Sequence, residues 1–312
     1  MFKSSKDKKE GAIFDILFWG IKNPNKITLQ KTGGQLKRSS ASEKFIKNEW
    51  QKRIASGLKR WPNDILPSRY HFNGLKITDK FVKISADPAI SYRDVIGSRP
   101  DKFKKSFKGE YCPVPITTTM VISAKNKNGR RLLALTLRNT DHDSNAGGFH
   151  ATTGGAMEIR KDKNPIDAAL RETEEEIGIK PEELSNISCR AINYNPQLSE
   201  IGIVFTSEAN IAAEKILSRP HDDENKIIFI PIEKDALEHW LLKLTYAGSS
   251  DGLVGMLAIG EDLYGKKWKD MVLTELNKKG REYANPKKYR KLEKVDIKKL
   301  KIFLNRNSPI DK

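Results

Sequence analysis

Arg171-Glu172-Thr173-Glu174-Glu175-Glu176-Ile177-Gly178-Ile179 is the stretch from which the rest of the chain is read. Pro165 stands before it, and Gly178 follows the last periodic residue. Proline suits a first helical turn and glycine suits the position just past the last one, so the spacing predicts a helix over 165–177. On such a helix Glu172 and Glu176 are four apart and Glu175 is three from Glu172, which brings three carboxylates to one side. Like charges at that spacing repel. An isolated Glu-rich helix would simply turn an acidic face to water, whereas a cation would offset the repulsion. Hard oxygen ligands suit Mg²⁺ or Mn²⁺, which in turn bind phosphate oxygens. Arg171 can brace the cluster through a charge-assisted hydrogen bond.

Immediately upstream stands Gly147-Gly148-Phe149-His150-Ala151-Thr152-Thr153-Gly154-Gly155-Ala156-Met157-Glu158, a glycine-rich loop that feeds the acidic helix. Together the loop and helix resemble the Nudix hydrolase family, whose pattern is G-x5-E-x7-R-E-U-x-E-E-x-G-U with U a bulky apolar residue. Arg171 to Ile179 match its second half, with Thr173 at one apolar position. The first half departs. Strict spacing places Met157 where the family has Gly and Lys163 where it has Glu, while Gly154, Gly155 and Glu158 form a Gly-Gly-x-x-Glu signature slightly earlier. Two inserted residues restore the alignment. The first family glutamate then falls among Lys161, Asp162 and Lys163, of which Asp162 is the acidic one.

The resemblance covers residues near 113–265 and implies an α/β fold, an α/β/α sandwich around a mixed sheet. It implies that Glu172, Glu175 and Glu176 bind Mg²⁺ or Mn²⁺, that Glu158 reaches the metal from the loop, and that Arg171 orients a glutamate. The activity implied is hydrolysis of the P–O–P link of a nucleoside diphosphate joined to another moiety, by in-line attack of water on phosphorus. Glu172, Glu200 and the Asp222-Asp223-Glu224 loop are the candidates for a general base. Gly154, Gly155, Phe149 and Arg138 are the expected substrate-binding residues. Phe149, Tyr194 and Tyr246 are aromatics that can stack a base or pack in the core. Arg138, Arg160 and Lys161 lie near the expected phosphates. Ser91-Tyr92-Arg93-Asp94-Val95-Ile96-Gly97, with the long N-terminal region, resembles the nucleotide-sugar branch that includes UDP-glucose pyrophosphatases. Homodimers are common among members of the family.

Outward from this segment, Ile116–Ile122 and Arg131–Arg138 read as a hairpin turned by Asn126-Lys127-Asn128-Gly129. Residues 187–194, 201–206 and 227–232 read as strands, and 211–217 and 233–242 as helices. Residues 11–60 read as two or three short helices, with Trp50, Ile54, Leu58 and Trp61 on one apolar stripe. Short extended pieces are expected between Gly74 and Gly97, separated from their surroundings by Asp87-Pro88 and Arg99-Pro100. This gives a basic N-terminal extension over 1–112, a catalytic domain over 113–265 and a basic helical tail over 266–312.

The 312 residues carry a net charge of +17, unevenly: roughly +14 over 1–111, roughly −4 over 112–280 and roughly +7 over 281–312. Such flanks attract anions, whether nucleic acid, acidic lipid or a phosphorylated metabolite. Two further readings follow. One is an RNA 5′-end hydrolase whose basic flanks track phosphates. The other is a nucleotide sensor without turnover, suggested by Met157, Lys163 and Thr173. In the tail, Lys287, Lys288, Arg290 and Lys291 suit an acidic membrane surface, while Tyr289, Leu292, Leu300 and Phe303 suit a docking helix. No apolar run is long enough for a transmembrane helix. The apolar Ala12–Trp19 run contains Asp15 and lacks a small-residue cleavage site, unlike an export signal. Two cysteines, Cys112 and Cys189, exclude a disulfide framework and point to the cytoplasm. His71, His142, His150, His221 and His239 show no zinc-ligand spacing; His150 and His221 are retained as site candidates.

Overall fold

The computed structural model describes residues 13–34, 38–57, 65–66, 68–108, 110, 112–139, 146–196, 198–219, 225–283 and 286–306. The Asn-Gly turn joins β5 (Ile116–Lys125) to β6 (Arg131–Arg138) as the hairpin pattern predicts. The two strands pair only beside the turn, from Ser123↔Leu133 to Lys125↔Arg131, and then part. Two short strands line the opening: β7 (Phe149–His150) pairs with β6, and β8 (Thr153–Ala156) pairs with Thr117–Met120 of β5. The glycine pair Gly154-Gly155 therefore sits where the hairpin splits.

The predicted helix is α4 (Pro165–Ile177), with Pro165 at its start and Gly178 beyond its end at φ 65°, ψ 18°. After it come β9 (Leu184–Asn195), β10 (Glu200–Ala209), α5 (Ala213–Leu217), β11 (Asn225–Pro231) and α6 (Lys234–Glu238), which passes into a π-helical turn over His239–Lys243. β10 runs parallel to β5 and antiparallel to β9, while β11 closes the other side against β6. The sheet is thus mixed. One face buries Met120, Ile203 and Phe205 with Ala168, Ala169 and Ile177 of α4. The other buries Val121, Leu133 and Val204 with Trp240 and with Leu253, Val254 and Leu257 of α7 (Ser250–Tyr283). Helices on both faces make the expected α/β/α sandwich.

Two local expectations in the N-terminal region are corrected. Asp15–Lys22 is a strand, β1, paired antiparallel with β9 at the edge of the main sheet, not a helix. Tyr92–Ser98 is a helix, α2, rather than an extended piece. Ser91 caps it, accepting from the Asp94 N–H, while the Asp94 carboxylate accepts from the Ser91 N–H and hydroxyl. Between them lie β2 (Ile27–Lys31), α1 (Ser40–Ala55), β3 (Arg69–Ile77) and β4 (Val82–Ile90), with β2, β4 and β3 forming a second, three-stranded sheet. Its Ile27, Tyr70, Phe72 and Ile84 join the core on the α4 side of the main sheet. The stripe on α1 buries Ile46 and Trp50; Leu58 and Trp61 lie outside the described residues. A short α3 (Asp101–Ser106) leads back to β5.

α7 is broken at Gly265, whose φ of 81° and ψ of 171° are not helical. The basic tail folds as α8 (Pro286–Arg306). Phe303 stacks on His239 at 5.1 Å and meets Trp240 edge-on at 5.9 Å, and Asp296 accepts from the Tyr246 N–H at 3.1 Å. Leu292, Ile297, Leu300, Phe303 and Leu304 of α8 are therefore spent on the rest of the protein, while Lys288, Lys291, Lys294, Lys298 and Lys301 are exposed.

Candidate active site

Arg171 organises the acidic helix. Its Nε and Nη2 donate to the two oxygens of Asp162 at 3.0 and 2.9 Å, and its Nη1 donates to Glu172 and Glu175 at 2.7 and 2.9 Å. Asp162 is buried and also accepts from the Glu158 N–H at 2.7 Å. Burial by itself lowers the Arg171 pKa; the Asp162 hydrogen bonds and the Glu172 charge more than reverse this and raise it. The guanidinium is a permanent cation bridging loop and helix. Asp162 thus spends both oxygens on positioning Arg171 and the loop, which gives the acidic residue nearest the first family glutamate an anchoring task.

The glycine loop fits the helix through its lack of side chains. A Cβ on Gly155 would lie 2.3 Å from Glu172 Cδ, so only glycine admits that carboxylate. Gly154 donates its N–H to Glu176 at 3.2 Å. Thr173, at the family's apolar position, is fully buried, donates to the Ala169 carbonyl at 2.7 Å and meets the Thr153 hydroxyl at 2.9 Å. Met157, standing where strict spacing asks for glycine, is fully buried core. Both departures from the motif are therefore satisfied inside the fold.

Burial raises the Glu172 pKa; Arg171 opposes the shift, and the charges of Glu175 and Glu158 add to it. Glu158 and Glu175 also face Lys161, at 3.5 and 3.6 Å. Glu158, Glu172 and Glu175 are therefore electrostatic neighbours, and Glu176 lies one helical turn from Glu172 beside the loop. Among the described residues no three His, Cys, Asp or Glu side chains are gathered into a finished metal cage. The donors present are nevertheless all carboxylate oxygens, and burial with the charges of Glu175 and Glu158 disfavours charge on Glu172, which Arg171 partly offsets. That donor set fits a hard divalent ion.

The other expected residues separate into two groups. Arg138, at the end of β6, is half-buried; burial lowers its pKa, while the charges of Glu176, Glu200 and Asp251 act against this, which places it at the acidic site. Phe149 does not face a ligand: it is fully buried, edge-on to Trp240 at 5.0 Å and against Gly248. Tyr246 is core as well, under Lys279. His150 is buried behind Gly154. Asp222, Asp223, Glu224, His142 and His221 lie outside the described residues.

Glu200, one of the expected general-base candidates, is joined beside Arg138 by polar residues that the sequence pattern misses, Arg99, Asp251, Asn193 and Thr119. Burial pushes Glu200 up to about 7; Arg99 and Arg138 oppose this and Asp251 adds to it. Arg99, the C-cap of α2, stands 3.9 Å from the Glu200 carboxylate. Asp251, at the start of α7, accepts from Asn193 at 2.9 Å and Thr119 at 3.1 Å. Glu200, Arg99, Asp251, Asn193 and Thr119 come from five separate elements, so no local spacing brings them together. The N-terminal region also reaches the loop directly: Arg69 bridges Glu158 through the backbone and lies over the Tyr92 ring at 5.2 Å.

Residues 115–240 match the NUDIX domain family. No curated protein matches the chain. Among solved structures, a binary complex of a C. elegans Ap4A hydrolase is 16% identical, with a TM-score of 0.31 over 38% of this chain and 82% of that one. A NUDIX hydrolase from Alicyclobacillus acidocaldarius is 14% identical, with a TM-score of 0.36 over 47% and 90%. A bifunctional NMN adenylyltransferase/ADP ribose pyrophosphatase from Francisella tularensis is 13% identical, with a TM-score of 0.30 over 46% and 42%. Likeness at this level adds nothing to the assignment, which stands on the domain match and on the acidic helix folded against its glycine loop. The chain carries a NUDIX domain at residues 115–240.

Proposed function

We propose that this chain is a divalent-metal-dependent pyrophosphohydrolase that cleaves the diphosphate bridge of a nucleoside diphosphate linked to another moiety, of the nucleotide-sugar or ADP-ribose type. The observation that carries this reading is the clamp built on Arg171, held by Asp162 on one side and presenting Glu172 and Glu175 on the other. Glu172, Glu175 and Glu176 would hold Mg²⁺ or Mn²⁺, with Glu158 contributing from the loop. When bound, the metal neutralises the diphosphate and lowers the pKa of water at phosphorus.

The chain's own residues supply the remainder. Gly155 leaves room for the Glu172 carboxylate, and the Gly154 N–H fixes Glu176. Arg138 lies where it can pair with a phosphate oxygen, since its guanidinium already feels Glu176 and Glu200. Glu200 is placed for general-base work: a carboxyl near 7 accepts a proton effectively at neutral pH. A catalytic unit over 113–265 with basic flanks belongs to this reading. A cytoplasmic setting does too, in keeping with unpaired Cys112 and Cys189. Two of the motif departures that suggested a sensor without turnover, Met157 and Thr173, are accommodated in the core, while Lys163 is exposed.

The test is release of mononucleotide by the full chain from UDP-glucose, ADP-ribose, dinucleotides, nucleoside triphosphates and capped RNA. Turnover of a sugar-linked or ribose-linked diphosphate, lost with EDTA and restored by Mg²⁺ or Mn²⁺, is expected. Turnover unaffected by EDTA would refute the metal role, and cleavage of capped RNA alone would replace the substrate class.

A further inference from the structure

The basic tail has no task in the reaction as described, yet it meets the site. A groove of about 480 Å³ is lined on one side by Leu137, Arg138, Asn139 and Gly147, and on the other by Leu300, Lys301 and Leu304 of α8. The volume lies within the range of small-molecule sites. Arg138 belongs to both places: it lines the groove and stands within electrostatic reach of Glu176 and Glu200. Arg138 is thus shared between the lining of the groove and the electrostatic surroundings of Glu176 and Glu200.

Its chemistry is specific in two respects. Three leucines give apolar walls, and Asn139 and Lys301 give polar and cationic edges. Lys301 also ends a row. Lys291, Lys294, Lys298 and Lys301 are all exposed, at spacings of three and four that put them on one face of α8. The row spans about 15 Å at helical rise. The acidic residues of α8 are turned elsewhere: Asp296 is buried against the Tyr246 N–H and Lys299, and half-buried Glu293 accepts from Tyr289. With Phe303 and Tyr289 seated on His239, Trp240 and Tyr246, the row is held rigidly relative to the groove.

We propose that the groove between α8 and the end of β6 is a second ligand subsite, which takes a nucleotide moiety bearing a phosphate of its own. The apolar walls take the base and ribose, Arg138 faces the diphosphate side, and Lys301 with Lys298 takes the additional phosphate. As a subsite for substrate this rests on the reaction proposed above; as a binding site it stands alone.

The experiment is calorimetric titration of the full chain, in Mg²⁺ buffer, with adenosine 3′,5′-bisphosphate and with adenosine 5′-monophosphate. Neither probe holds a phosphoanhydride, so turnover does not enter. The wild type is expected to bind the bisphosphate at least tenfold more tightly. The double variant Lys298→Glu/Lys301→Glu changes only exposed side chains; it should erase that preference and leave monophosphate affinity within twofold. Equal affinities in the wild type, absence of binding by both probes, or a preference surviving in the variant would each overturn the proposal. So would equal competition by inorganic tripolyphosphate, which would make the row a general anion surface. Loss of the reaction reading with the preference intact would leave a nucleotide site separate from catalysis.

Discussion

Gly155 and Asp162 carry more of the site than their size suggests. A methyl group on Gly155 would collide with the Glu172 carboxylate, the end of a side chain that must then swing out of its place beside the loop. Gly155→Ala should therefore lower kcat at least tenfold while thermal unfolding moves little, because the displaced group is a partly exposed carboxylate. Asp162→Asn keeps the shape and removes the charge opposite Arg171, leaving a half-paired cation. A loss of about 3 kcal/mol in urea unfolding is expected, with loss of turnover. Glu200 gives a pH signature. Its pKa of about 7 stands above the ordinary 4.5, so the fold favours its neutral form. The resulting penalty is absent below the ordinary value, grows as pH rises through about 7, and is complete above it. Glu200→Gln should unfold like wild type near pH 4 and be more stable by about 3 kcal/mol above pH 8. Equal stability at both pH values would show that Glu200 is not held neutral. The helical clustering of Glu172, Glu175 and Glu176 was legible from spacing, and Asp162 stood out as the acidic residue nearest the first family glutamate; its anchoring of Arg171 was not legible, because only folding brings the two together.

The acidic helix was readable because its signals are local. Proline at the start, a capping box between Asn164 and Asp167, and left-handed Gly178 at the end all lie in or beside the element. Gly178→Ala should cost about 1 kcal/mol, since a side chain must then adopt a positive φ; a chemical-denaturation midpoint measures it. β1 was not readable. Its apolar residues do not alternate, because Leu17 and Phe18 contact one core cluster while Ile16 and Trp19 contact the other. Its partner, β9, lies more than 150 residues away in sequence. α2 was not readable either: Asp87-Pro88 and Arg99-Pro100 suggested extended pieces there, and the Ser91 and Asp94 capping box that starts the helix is seen in the structure.

Over the whole molecule, the charge division acquires a structural meaning. The near-neutral centre builds most of the sandwich and its acidic site; the N-terminal flank reaches that site through Arg69 and Arg99, and the C-terminal flank places Lys301 in a groove beside Arg138. Composition alone announced the charge but not where the chain would fold it. The account depends most on the claim that the clamped carboxylates do the chemistry. Glu176→Gln removes one metal-side charge and keeps an amide able to accept from the Gly154 N–H, so the fold should persist. Steady-state hydrolysis of ADP-ribose and UDP-glucose by this variant, beside wild type and with circular dichroism to confirm folding, is the most direct measurement. The account predicts at least a hundredfold loss of kcat in a protein that unfolds at the wild-type temperature; full activity in the folded variant would contradict it.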